Sequence, residues 1–114
     1  MLSFPSAVRI YLCREKTDMR KSFDGLSGMV REIIGADPLS GHLFVFRNRR
    51  CDSLKILYWD RDGFAIWYKR LEKGTFKLPS GNHGDMTITH RDLAMLLEGV
   101  DFKSIRRRPR YSLT

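Results

Sequence analysis

Residues 43–71 read LFVFRNRRCDSLKILYWDRDGFAIWYKRL, and their reading decides the fold. Three short runs of aliphatic and aromatic residues, 43–46, 56–59 and 64–68, are separated by turn-forming clusters, the pattern of antiparallel strands. The first cluster, Arg47-Asn48-Arg49-Arg50, carries three guanidinium groups around one amide. The second, Asp60-Arg61-Asp62-Gly63, holds residue types that tolerate left-handed backbone and cap their own turns. Two tight connections imply three neighbouring strands, a β-meander with cations at its turns. In the third run Phe64, Ile66 and Tyr68 share one face and Ala65, Trp67 and Lys69 the other, so only one set can meet solvent unless both faces are covered.

Working outward, Val8, Ile10 and Leu12 alternate with Arg9 and Tyr11, which predicts a first strand. Phe23, Leu26, Val30, Ile33 and Ile34 then fall on one helical stripe, with Asp18 or Ser22 as candidate N-caps and Gly35 as the stop. Gly25 and Gly28 each weaken that helix by roughly 1 kcal/mol relative to alanine. Asp37-Pro38-Leu39-Ser40-Gly41 turns into the meander. Residues 73–84 are rich in turn formers and are expected to be exposed and flexible. Thr89 followed by Asp92 resembles a capping box, and Leu93, Leu96, Leu97 and Val100 give a second helix an apolar stripe expected to dock on the same core as the first. Residues 103–114, KSIRRRPRYSLT, carry five cations and no acid. The expected fold is therefore α+β: a small antiparallel meander with two helices packed on it, one domain over 1–102, and a basic, flexible tail over 103–114.

The 114 residues include 7 Phe, 2 Trp and 4 Tyr, enough apolar surface to hold one core without disulfides. Cys13 and Cys51 lie far apart with no CxxC or Cys/His ligand spacing, which argues against a structural zinc and for reduced thiols in the cytoplasm. The apolar run 93–97 is far short of a membrane span, and no cationic segment followed by an apolar one opens the chain.

Lys and Arg number 21 against 13 Asp and Glu, a formal net charge of +8, and this balance makes nucleic acid the leading partner class. The turn Arg47, Asn48, Arg49 and Arg50 can place a fork of donors along phosphates, Asn48 reaching backbone or a base edge. Lys55, Lys69 and Arg70 extend that surface along the strands. Arg106, Arg107, Arg108 and Arg110 can follow a nucleic-acid backbone without reading sequence. Tyr58, Trp59, Trp67 and Tyr68 could stack on unpaired bases, although such residues are more often core. Three function classes stay open: a DNA-binding protein, an adaptor whose cations meet an acidic protein, and a metal-dependent nuclease built from Asp60, Asp62 and Asp85 with His83 or His90. The last lacks any HExxH, Walker or glycine-rich phosphate motif, and no catalytic, metal or cofactor site is expected.

The words Asp18-Met19-Arg20-Lys21-Ser22-Phe23-Asp24-Gly25-Leu26, GHLFVFRNRR, LKILYWDRDGF and WYKRLEKGTF, with the segment 87–99, resemble the TnpB-type, or Orf2-like, accessory proteins of the bacterial insertion-sequence family sixty-six. The resemblance implies a small protein encoded beside a transposase and assisting movement of the element, and the expected role is a non-catalytic accessory factor that binds DNA, the transposase, or both. It is not the RNA-guided nuclease that shares the TnpB name, whose spread of carboxylates is missing from this chain.

Overall fold

Leu43, Phe44, Val45 and Phe46 are all buried, and a strand can bury consecutive residues only when both faces of its sheet are covered. A computed structural model describes residues 5–78, 87–101 and 106–107 and shows how this comes about. Five strands form one sheet: β1 (Ile10–Lys16), β2 (Leu43–Arg47), β3 (Ser53–Asp60), β4 (Gly63–Arg70) and β5 (Thr87–Ile88), in the spatial order β4-β3-β2-β1-β5. β2, β3 and β4 are the expected antiparallel meander, with Val45 opposite Ile56 and Ile56 opposite Trp67.

The sheet as a whole is mixed rather than antiparallel. β1 runs parallel to β2, with Ile10 opposite Leu43 and Leu12 opposite Val45. The cause is the intervening helix, because a crossover of that length returns the chain to the starting end of the sheet. Helix α1 (Phe23–Met29) continues as a π-helical turn, Val30–Ile34, and stops at Gly35, which adopts φ 76°. That left-handed backbone suits glycine. Ser22 occupies the N-cap without a side-chain capping bond. Asp18 instead closes the turn before it, accepting from the Arg20 amide at 2.9 Å. Phe23, expected on the buried stripe, is exposed. Gly25 lies close to Lys21, so an added Cβ would sit 3.2 Å from Lys21 Cβ.

Helix α2 (His90–Glu98) has the full capping box: Thr89 Oγ1 accepts from the Asp92 amide at 3.0 Å and Asp92 Oδ2 accepts from the Thr89 amide at 3.4 Å. It ends at Gly99, so Val100 belongs to the next element. The two helices do not share one core. Alternation along the strands sends Leu43, Val45, Leu54 and Ile56 to the face where Leu93, Leu96 and Leu97 of α2 pack. Phe44, Phe46 and Leu57 go to the other face, against Leu26 and Val30. The molecule is thus a three-layer arrangement with a helix on each side of the sheet.

One further expectation changes. Phe76, in the segment read as exposed, is buried in the α2-side core. Its amide donates to the Cys51 carbonyl at 2.7 Å, so the chain after β4 folds back over the turn between β2 and β3. Separately, β6 (Val100–Asp101) and β7 (Arg106–Arg107) form a two-stranded antiparallel pair. His83 and Asp85, the remainder of the loop 79–86, and Arg108 and Arg110 lie outside the described residues.

Candidate nucleic-acid interface

The strand polarities gather cations at one end of the sheet. Where β1, β2 and β4 finish and β3 starts, register aligns Lys16 with Arg47, Arg47 with Leu54 and Leu54 with Lys69. Directly opposed residues on neighbouring strands project to the same face, so three of the four side chains in that row are cationic. A bulge makes the row: β1 takes four residue steps from Leu12 to Lys16 where β2 takes two from Val45 to Arg47. Without it Arg14, not Lys16, would stand beside Arg47.

The turn beyond the row is rigidly built. The Cys51 amide donates to the Asn48 carbonyl at 3.1 Å, which puts Arg49 and Arg50 at the two exposed corner positions of a β-turn. Cys51 follows in left-handed backbone with φ 63°. Asn48 holds the base of the loop: its Nδ2 donates to Asp52 Oδ1 at 2.7 Å and its Oδ1 accepts from the Ser53 amide at 3.0 Å. Both ends of the Asn48 side-chain amide are thus engaged within the loop. Lys16 Nζ donates to Cys51 Sγ at 3.2 Å, tying the loop to β1.

Arg47 is partly buried, and among the described residues its Nε is out of contact with solvent and has no hydrogen-bond acceptor. Lys69 and Arg70 are exposed at the end of β4. The acids near this end are Glu15, Asp52 and Glu72, of which Asp52 is occupied by Asn48.

Lys55 does not join this surface. It is 8% exposed, and Nζ donates to the carbonyls of Met19 and Lys21, each at 2.8 Å, while lying 4.8 Å from the Tyr68 ring centroid. A strand neighbour of Phe46 on the α1 side, it pins the segment before α1 to the sheet. The backbone of Arg106 and Arg107 is paired with β6, apart from the five-stranded sheet. Of the aromatic residues considered for stacking, Tyr58 and Trp67 pack on the α2-side core and Trp59 sits edge-on to Phe64 at 5.1 Å. Tyr68, 52% exposed, is the one with an open surface. Sequence reasoning missed Lys16, because the bulge that places it leaves no mark in the alternation.

The carboxylates considered for a nuclease do not converge with His90. Asp60 and Asp62 occupy the β3–β4 turn at one edge of the sheet, and His90 follows β5 at the other, its Nε2 2.6 Å from the Val8 carbonyl oxygen. Four strand spacings separate those edges, roughly 19 Å. Among the described residues no group of three His, Cys, Asp or Glu could hold a metal ion, and no helix is long and apolar enough to cross a membrane. Burial raises the Cys13 thiol pKa, so it stays a protonated core group.

Residues 8–107 match the family model described as IS66 Orf2 like protein. The chain belongs to the IS66 Orf2-like family. It is similar to two proteins of Sinorhizobium fredii, both named as uncharacterized. With y4jC it shares 33% identity over 109 residues, covering 96% of this chain and 93% of that protein. With y4hO it shares 38% over 103 residues, covering 90% of each. No solved structure matches the chain. Family membership ties the protein to insertion-sequence transposition in an accessory role, and the basic end of the sheet is the chemistry to be explained within it.

Proposed function

We infer that this Orf2-like protein is a non-catalytic accessory factor in transposition that holds DNA by its phosphate backbone. The observation carrying this reading is the cationic row Lys16, Arg47 and Lys69, aligned by register across the sheet and extended by Arg49, Arg50 and Arg70. Guanidinium groups at turn corners pair bidentately with phosphate oxygens. The row and its turn favour an anion at this end. With Asn48 and Lys55 engaged internally, the surface offers phosphate contacts and few groups able to reach base edges, so the expected binding is sequence-tolerant.

The test is fluorescence anisotropy of transposon-end duplex, random duplex and single strand against the purified protein. Phosphate contacts from five of these six cations would give a log–log salt slope of about −4.5, an affinity loss of roughly 500-fold between 50 and 200 mM salt. Reversing Arg49 and Arg50 together to glutamate removes two contacts, and the slope falls to about −2.7. A folded double variant with unchanged affinity and slope would remove the turn from the interface. No binding of any probe at the lowest salt would move the role to an adaptor that meets the transposase, with DNA held by that partner alone.

A further inference from the structure

The two edges of the sheet are unequal. β5 pairs with β1 over two residues, whereas β4 runs for eight and has no neighbour beyond it among the described residues. Proteins blunt long edges with proline, bulges, short strands or charges in mid-strand. β4 has no proline, pairs with β3 without interruption from Gly63 to Arg70, and keeps Phe64, Ala65, Ile66 and Trp67 in its middle. Its only cations, Lys69 and Arg70, are at the far end.

We propose that β4 is a pairing edge for a second copy of this chain, joined antiparallel about Ile66 to make one continuous ten-stranded sheet. The backbone permits it. In a two-residue hairpin the closing pair, here Asp60 and Gly63, exchanges both hydrogen bonds, and alternation leaves the amides and carbonyls of Phe64, Ile66, Tyr68 and Arg70 facing away from β3.

Charge selects the register. Residues on neighbouring strands that face each other share a sheet face, so in a continuous sheet with a two-fold axis the strands can be centred on residue 65, 66 or 67. Over residues 62–70, centring on Ala65 sets Asp62 against Tyr68 of the second copy and leaves Arg70 without an acid opposite it. Centring on Trp67 sets Asp62 against Glu72. Centring on Ile66 brings Arg70 of each copy to Asp62 of the other, puts Phe64 beside Tyr68 on one face, and fits Trp67 over the small Ala65 on the other. Asp62 and Arg70 are both exposed and free to form that pair. The pairing also gives the open ring surface of Tyr68 an apolar neighbour.

The contact is small for a protein interface, and the expected dissociation constant is on the order of 10 μM. The proposal stands apart from the DNA reading: only Arg70 belongs to both, and Lys16, Arg47, Arg49, Arg50 and Lys69 remain available to phosphate in the dimer.

Sedimentation velocity of the full chain from about 2 to 200 μM, without nucleic acid, tests it. The expected result is a reversible shift from the 13.3 kDa monomer to twice that mass. Asp62→Arg or Arg70→Asp alone weakens the dimer about tenfold through two symmetric pairs and the repulsion each creates, and the double swap restores it toward the unmodified protein. A monomer across the whole range overturns the proposal, as does a double swap no better than the single variants. Circular dichroism matching the unmodified protein guards the variants against misfolding.

Discussion

Lys55 and Lys69 lie on adjacent strands of one sheet and should answer differently to the same substitution. In Lys55→Met two charge-assisted hydrogen bonds at 2.8 Å, to the Met19 and Lys21 carbonyls, disappear together with the contact to the Tyr68 ring. Bonds to charged groups contribute about 1.5–3 kcal/mol each. Part of that returns because the segment carrying those carbonyls is near the surface, where they rehydrate, and because methionine is cheaper to bury. The expected net loss is about 2.5 kcal/mol, which at a urea slope of about 1.5 kcal/mol/M lowers the unfolding midpoint by roughly 1.7 M. Trp59 and Trp67, on β3 and β4, report the transition by fluorescence. Lys69→Met, at an exposed position, should leave stability within about 0.5 kcal/mol and weaken DNA binding with a shallower salt slope. Lys55→Met should retain the slope of the unmodified protein while it remains folded. If Lys55→Met is as stable as the unmodified chain, or loses as much DNA affinity as Lys69→Met without loss of stability, the assignment of Lys55 to structure is refuted.

Two further outcomes follow from the loops. Asn48→Ala removes both bonds that close the β2–β3 turn and should cost about 1–2 kcal/mol by urea melt with the DNA preference among sequences unchanged; an altered preference with unaltered stability would return Asn48 to base readout. Asp18 has its pKa lowered from the ordinary 3.8 to about 2, chiefly by its side-chain hydrogen bonds from Arg20. A carboxylate depressed in the folded state contributes stability above its unfolded value, and that contribution is lost as pH falls through about 2. Because the pair is solvent-exposed its effect on stability is small, and the measurement is an NMR titration: Arg20→Gln should raise the Asp18 midpoint toward 3.8, and an unmoved midpoint would contradict the pairing.

The meander, both helices, the Thr89 capping box and the Gly35 stop were legible in the sequence because each rests on neighbours in the chain: alternation, helical stripe, cap and turn chemistry. What was not legible depends on distant pairing. The parallel placement of β1 joins residues 33 apart, as the Arg9 amide donating to His42 Nδ1 illustrates. The assignment of α1 and α2 to opposite faces is decided by which alternate set of an entirely apolar strand each helix meets. In the candidate interface, Arg49 and Arg50 could be read from the turn, whereas Lys55 could not be told from Lys69. Both are lysines in strands beside aromatic residues, and only the segment 19–21 passing over one of them separates a buried anchor from a surface charge.

The burial of β2 on both faces has a consequence for how the sheet keeps its alignment. Where one face of a strand is polar, slipping by one residue exposes apolar groups and buries polar ones, so hydrophobicity enforces alignment. LFVF offers no such penalty, since any slip trades one apolar residue for another. What distinguishes the faces is volume: Leu43 and Val45 lie under α2, beside Phe76, and Phe44 and Phe46 lie under α1. A slip would force two phenyl rings into a space already holding Phe76 and three leucines of α2, and would leave voids on the opposite side. Alignment in the centre of this sheet is thus carried by shape, with the Asn48, Asp52 and Ser53 bonds acting as a molecular index mark at the end of the strand.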